Sequence, residues 1–354
     1  MSKPYAVIMA GGRGERFWPL STEEMPKPFH KLVGDKSLFQ TTVERLSPIF
    51  PPERILPVLA REHLDIARQQ LPEIPEGNYV VEPMGRDTAA CIGLASISLE
   101  RLDPEAIMVV LAADHYIPDE AEFRATLEAG INFLQENDVI ITLGIKPDRP
   151  EIGYGYIEAG EEVTDLEGFS ICKVACFVEK PNIDRAREYL SSGKYFWNSG
   201  MFLWRNSLIQ GLIAKFMPEH WQRLSAIRDS FGTPEEDSTL IKEFSRIKKI
   251  SIDFGVMEKA ENILVILAKF KWDDVGNWAA LERVMEPDEN GNLLQGNVLT
   301  LDTRNCVIYS QDQLVATMGG CDLIIVQAND KIMVASKKCA SELKRLVRLY
   351  EESA

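Results

Sequence analysis

Ala6-Val7-Ile8-Met9-Ala10-Gly11-Gly12-Arg13-Gly14-Glu15-Arg16 is the stretch that decides the fold. An unbroken apolar run reads as a strand buried on both faces, and the glycines that follow read as a loop. The same kind of run returns at residues 55–59, 79–81, 107–111 and 139–143. Helical patterns lie between them at 62–71, 88–102 and 120–136, and another begins behind Ser37 with Leu38, Thr42, Val43 and Leu46 on one face. Strands apolar on both faces that alternate with helices predict a parallel sheet covered by helices. The expected class is α/β: a Rossmann-like, mixed but mostly parallel sheet with flanking helices. Ligands of such sheets sit at the carboxyl ends of the strands, where the Gly-rich loop falls.

Further along, the pattern changes to short strands and turns at 153–204, then to helices at 206–246 and one more strand at 263–268. A polar, turn-rich break at 286–292 separates residues 1–286, the larger expected domain, from a small C-terminal domain at 287–354. The short apolar runs at 298–301, 307–309, 314–316, 323–326 and 332–334 are evenly spaced, which predicts a small, short β-helix-like unit. It closes on an amphipathic helix at 336–352 with Leu343, Leu346, Val347 and Tyr350 on one stripe. That stripe is expected to pack on the chain itself; its alternative use is a contact in a homodimer.

Lys and Arg total 39 against 54 Asp and Glu, a net charge of −15. Such a surface repels nucleic acid and anionic lipid, so neither is an expected partner. An anionic ligand would need cations gathered locally against that field. Cys91, Cys172, Cys176, Cys306, Cys321 and Cys339 form no C-x-x-C pair and read as reduced thiols. The apolar run at residues 5–10 is too short for a signal peptide, and no stretch approaches the ~20 apolar residues that span a bilayer. The expected location is the cytoplasm.

The loop after the first strand suits an anion, because glycines let backbone N–H groups close around it. It is not a P-loop, since no Gly-Lys-Ser/Thr follows, and Phe17 stands where a dinucleotide fingerprint has its third glycine. Downstream, Pro26-Lys27-Pro28 sets a lysine on stiff backbone. Arg13, Arg16 and Lys27 then concentrate positive charge in an acidic chain, as a triphosphate requires.

Residues 10–21 with Pro26-Lys27-Pro28-Phe29 closely resemble the signature of the sugar-phosphate nucleotidyltransferases, and within them the bacterial mannose-1-phosphate guanylyltransferases. The resemblance continues through Glu82-Pro83 with Arg86-Asp87-Thr88-Ala89-Ala90, then Ala112-Ala113-Asp114-His115 and Gly153-Tyr154-Gly155-Tyr156-Ile157. It goes on through Phe177-Val178-Glu179-Lys180-Pro181, Asn198-Ser199-Gly200-Met201-Phe202 and Trp272-Asp273-Asp274-Val275-Gly276-Asn277-Trp278, all in family order. One departure is Asp87, where many relatives carry Asn. Some relatives also carry a C-terminal isomerase domain; a second, isomerase activity is not expected here.

The resemblance implies GTP and mannose 1-phosphate as substrates and Mg²⁺ as cofactor. It pairs Asp114 with Asp274 as metal ligands; Asp273 is the rival for the second place, and His115 suits orienting a neighbour better than binding magnesium. Nucleotide contacts are expected from Ala10, Gly11, Gly12, Arg13, Gly14, Arg16, Lys27, Glu82, Arg86, Asp87, Thr88 and Asp114. Glu82 is the candidate reader of guanine, since one carboxylate can accept from N1 and N2 together. Gly153, Tyr154, Gly155, Tyr156, Glu179, Lys180 and Asn198 are the expected sugar-phosphate contacts. Arg16, Lys27, Asp114, Lys180 and Asp274 form the expected catalytic set.

In the implied reaction the sugar phosphate attacks the α-phosphorus of GTP in line and pyrophosphate leaves. The attacking phosphate, with a second pKa of about 6, is already ionised at neutral pH, so no base is needed. Two other readings carry the same loop: a nucleotidyltransferase making dTDP- or UDP-glucose, and a silent sensor of nucleotide sugars. The sensor should have lost metal or phosphate residues, and this chain keeps them. A dehydrogenase fails on the missing third glycine.

Overall fold

The computed structural model describes residues 2–12, 14–166 and 168–353. Its packing divides the chain into two compact units, neither a single stretch of sequence. The first comprises Met1–Ala10, Val43–Ala113 and Ile117–Lys271; the second comprises Gly11–Thr42, Asp114–Tyr116 and Trp272–Ala354.

The first unit is built on a nine-stranded sheet in the order β3-β2-β1-β4-β8-β5-β9-β7-β6. These strands are β1 (Pro4–Met9), β2 (Ile55–Ala60), β3 (Val80–Glu82), β4 (Ile107–Ala112), β5 (Ile140–Ile145), β6 (Tyr156–Leu166), β7 (Phe169–Val178), β8 (Tyr195–Arg205) and β9 (Ile263–Ala268). Strands β1 to β4 are parallel to one another, as are β5 and β9, while β7 and β8 run against their neighbours. The sheet is therefore mixed and mostly parallel. Ala6, Val7 and Ile8 are fully buried, as a strand covered on both faces requires.

Helices alternate with these strands: α1 (Leu38–Leu46), in which the chain re-enters this unit, α2 (Leu64–Gln70), α3 (Asp87–Leu102), α4 (Glu120–Glu136), α5 (Ile183–Ser192), α6 (Asn206–Phe216), α7 (Pro218–Ser230) and α8 (Glu236–Phe244). The central helix α3 buries residues from Ala89 to Leu99 against Val7, Val110, Ile209 and Leu224. At Gly93 a Cβ would lie 2.5 Å from Leu224 Cδ1, which is how α3 and α7 approach so closely.

One local expectation is corrected. Residues 153–204, read as short strands and turns, contain strands of up to 11 residues and the helix α5. Both ends of α5 were signalled. The Asn182 side chain accepts from Arg185 N–H at 2.9 Å, and Gly193 closes it at φ 67°. Its apolar residues Ile183, Ala186, Tyr189 and Leu190 recur at helical spacing, although Ala186 is the one that is buried.

In the second unit the C-terminal strands stack as coils. β10 (Leu293–Gln295), β12 (Val307–Ser310) and β14 (Leu323–Ala328) pair in parallel, β11 (Val298–Leu301) pairs in parallel with β13 (Val315–Met318), and β15 (Lys331–Ser336) turns back antiparallel on β14. Asn292, buried inside, holds two coils: its amide donates to Thr303 O at 2.9 Å and accepts from Cys306 N–H at 3.0 Å. Asp302, Asn305 and Asp322 take positive φ at the corners, a conformation that short polar side chains tolerate.

The chain closes with a 3₁₀ segment (Lys337–Glu342) and α9 (Leu343–Ser353). Leu343 and Val347 are buried, but Leu346 is 40% and Tyr350 42% exposed, so only part of the expected stripe is covered. Leu343 joins Phe17, Leu20, Val275, Trp278, Val307 and Val326 in one core. The Gly-rich loop thus packs with the β coils and the terminal helix.

Candidate active site

In the second unit, Gly12, Gly14, Glu15, Arg16, Phe17, Lys27, Asp114, His115, Asp274, Gly276 and Lys344 line one cavity of 380 Å³. Gly14 is required by geometry. It sits at φ 60°, and a Cβ there would come within 2.9 Å of Lys27 N and Cβ. Its carbonyl accepts from Phe17 N–H at 2.8 Å, turning the chain. From the coils, the Asn329 amide donates to Pro19 O at 2.9 Å and Leu20 O at 3.1 Å.

Lys27 is almost fully buried. Its ammonium donates to Asp114 Oδ2 at 2.8 Å, Asp114 O at 3.2 Å and Asp274 O at 2.6 Å. All three of its protons therefore serve the two aspartates. Lys27 ties Asp114 to the Asp274 loop, through pairs that are 87 and 247 residues apart. Burial raises the pKa of Asp114, but Lys27 and His115 outweigh it and hold the carboxyl below its ordinary value. His115 is itself fixed, its Nδ1 accepting from Trp272 Nε1 at 3.1 Å.

The neighbouring aspartates separate by environment. Asp273, 5% exposed, is gripped by Arg283 at 2.5 and 2.8 Å and accepts Val275 N–H at 2.8 Å. Val275 holds φ 45°, a strained value for a β-branched residue. Asp274 instead faces the cavity. Its two oxygens lie 3.0 and 3.2 Å from where a Gly276 Cβ would stand, with Arg16 Nη1 3.4 Å from the same point. Asp114 and Asp274 together offer the one or two carboxylates that Mg²⁺ takes when phosphate and water complete its shell. Among the described residues no cluster of three or more His, Cys, Asp or Glu is placed to hold a metal.

Of the remaining expected residues, Gly11 belongs to the second unit without lining this cavity, Arg13 lies outside the described residues, and the others lie in the first unit. Ala10 is buried and its N–H donates to Val58 O at 2.8 Å, which leaves loop contacts to residues after it. Glu82 is 5% exposed, one carboxyl oxygen is buried without a hydrogen bond, and burial pushes its pKa up to about 7. Arg86 donates to Ser245 O at 2.5 Å, and the Thr88 hydroxyl accepts from Ile252 N–H at 2.9 Å. Asp87 sits at φ 69°, and its carboxylate accepts Thr88 N–H at 2.7 Å. Asp tolerates that backbone, as Asn would.

A second polar cluster gathers around Gly155. A Cβ there would meet Glu179 Oε2 at 2.6 Å and Asn198 Cβ at 3.4 Å. Asn198 donates from its amide to Asp253 Oδ1 at 2.7 Å and from its N–H to Gly155 O at 2.8 Å. Lys180, at φ 44°, forms an ion pair with Glu179. Asp253 was missed by sequence reasoning. It opens a short π-helical turn (Asp253–Met257), with nothing local to announce it. Burial raises its carboxyl pKa, only partly offset by Asn198, and Glu179 adds to the rise. Tyr154 and Tyr156 are buried, Tyr154 against Trp197 and Tyr156 through its hydroxyl on the Glu151 backbone, and Gly153 N–H donates to the Glu151 carboxylate.

A model of the nucleotidyl transferase family matches residues 5–291. The chain belongs to that family. A second model, the MannoseP isomerase/GMP-like beta-helix domain, matches residues 296–349 of this nucleotidyl transferase. The mannose-1-phosphate guanylyltransferase of Escherichia coli K12 is 36% identical over 98% of this chain and 73% of its own length. That of Salmonella montevideo is 38% identical over 96% and 72%. The crystal structure of a mannose-1-phosphate geranyltransferase from Thermus thermophilus matches with a TM-score of 0.87 and 39% identity, covering 99% of both chains. Among the described residues of this transferase, no helix is long and apolar enough to cross a membrane.

Proposed function

We propose that this chain is a mannose-1-phosphate guanylyltransferase, which transfers GMP from GTP to α-D-mannose 1-phosphate and releases pyrophosphate. The observation that carries the reading is Lys27 bonded to both Asp114 and Asp274 inside the cavity of the Gly-rich loop. Relatives named for this activity, alike over nearly the whole chain, support the same substrates.

A phosphate oxygen of the sugar phosphate bonds to the α-phosphorus of GTP, and the bond from that phosphorus to the bridging β-oxygen breaks. Both phosphates are anions, so charge has to be neutralised and the reactants aligned. Mg²⁺ held by Asp114 and Asp274 would supply neutralisation of the phosphates. Lys27 keeps those aspartates together, and Arg16 with the N–H groups of Gly11, Gly12 and Gly14 receives the triphosphate. Lys180 binds the attacking phosphate by leaving Glu179, while Glu179, Asn198 and Asp253 pair with sugar hydroxyls. Ionised Glu82 accepts from guanine N1 and N2. We assign residues 1–286 to catalysis and 287–354 to a β-helix-like domain, and place the protein in the cytoplasm, where its free thiols persist. A homodimer would use the exposed part of α9.

The test is pyrophosphate release from mannose 1-phosphate and Mg²⁺ with each nucleoside triphosphate in turn. GTP alone should support it. Release with UTP or dTTP instead would move the assignment to another hexose and base. Tight GDP-mannose binding without turnover would make the protein a sensor.

A further inference from the structure

Lys344 lines the same cavity as Arg16, Lys27 and Asp274, although it belongs to the C-terminal helix. Its ammonium is 3.3 Å from the Glu15 carboxylate, and its side chain is 48% exposed. The helix is seated independently of that pair. Leu343 and Val347 are buried beneath it, and Tyr350 packs on Trp18 with ring centroids 5.5 Å apart. The lysine stem is therefore held at the cavity while its head group can exchange partners.

The cavity needs such a cation. Its walls carry Glu15, Asp114 and Asp274 in a chain of net charge −15, and all three protons of Lys27 are engaged by the aspartates. Among the described residues that line the cavity, the one other Arg or Lys is Arg16, a small counterweight to a triphosphate. A half-exposed ion pair such as Lys344–Glu15 is weak, whereas an ammonium on phosphate makes a charge-assisted bond. Glu15 thus parks the lysine without competing strongly with an arriving phosphate. Lys344 lies beside Glu15, while Lys27 lies between the two aspartates.

We propose that Lys344 binds the β- and γ-phosphates of the nucleoside triphosphate and the pyrophosphate they become, so that the C-terminal unit contributes directly to the active site. The proposal rests on the reaction assigned above. It is tested by calorimetric titration of inorganic pyrophosphate with Mg²⁺ into the full-length wild type, Lys344→Met, Lys344→Arg and Glu15→Gln, alongside steady-state kinetics. In Lys344→Met the pyrophosphate Kd should rise about tenfold, the size of a lost charged hydrogen bond. KM for GTP should rise with it while KM for mannose 1-phosphate stays put. Lys344→Arg should restore binding.

Glu15→Gln should tighten pyrophosphate, because the competing carboxylate is gone. A purely structural latch predicts the reverse, with both partners' variants weakening binding alike, and that result overturns the proposal. So does an unchanged Kd in Lys344→Met, or a wild type that binds no pyrophosphate. If the wild type turns over no substrate pair but Lys344→Met still loses pyrophosphate, the assigned reaction fails and the phosphate contact stands.

Discussion

Replacing Lys27 by Met keeps the length of the stem and removes the charge that joins the two aspartates. The variant loses an ion pair to Asp114 at 2.8 Å and donors to the carbonyls of Asp114 and Asp274 at 3.2 and 2.6 Å. The lysine side chain is 8% exposed and the Asp114 side chain 29%, so water reaches the aspartate only partly. Removing one member of a buried pair leaves the other charge uncompensated, at a cost of about 3–5 kcal/mol; partial solvation of Asp114 places this case near about 3 kcal/mol. Urea denaturation in magnesium-free buffer reads that loss directly. A double-mutant cycle isolates its cause: Asp114→Asn added to Lys27→Met should recover about 2 kcal/mol, because the stranded charge is then gone. Turnover of Lys27→Met should fall about 10²-fold or more, since the metal carboxylates lose their fixed placement. Additive effects in the cycle, or a variant as stable and active as the wild type, would refute the role of Lys27 as the tie between the aspartates.

Asp273 and Asp274 should part company. Asp274→Asn should weaken magnesium dependence at little cost in stability, whereas Asp273→Asn should destabilise by about 3 kcal/mol, through the loss of its buried pair with Arg283, with the magnesium dependence retained; magnesium titration of activity and urea melts separate the two. Glu82 gives a pH signature. Its folded pKa of about 7 lies above its ordinary 4.5, so between those values the folded chain keeps a proton that the unfolded chain has lost. Stability therefore falls as pH rises through that window, by up to about 3 kcal/mol. Urea melts at pH 5 and pH 8 should show this fall in the wild type and not in Glu82→Gln. Since ionised Glu82 is the form that accepts from guanine, GTP should also bind more tightly at pH 8 than at pH 6. Asp253→Asn should raise KM for mannose 1-phosphate about tenfold with KM for GTP unchanged, and equal effects on both substrates would remove Asp253 from the sugar cluster.

Much of the fold was legible because local chemistry and tertiary packing agreed. The run Ala6-Val7-Ile8-Met9 reads as a strand covered on both sides, and the glycines after it read as a loop; that Gly14 packs against Lys27 comes from the structure. By itself the sequence determined the mixed, mostly parallel sheet, the stacked C-terminal strands, and the set of charged residues available for phosphate chemistry. The helix α5 was legible too, with Ile183, Ala186, Tyr189 and Leu190 at helical spacing between the Asn182 cap and Gly193, but the turn-rich reading of the whole segment passed over it.

Only the tertiary structure decided how those residues divide their work. Asp273 and Asp274 are identical in chemistry and adjacent in sequence, and it is Arg283 that takes one and leaves the other to the cavity. Asp253 and Lys344 carry no local signal, because each gains its place from contacts made far along the chain, with Asn198 and with Glu15. Lys27 was marked by its flanking prolines, but its three hydrogen bonds connect segments 87 and 247 residues apart. Local pattern reports which faces are buried and which turns are tight; it carries no distance between residues whose separation is set by the packing of the whole chain.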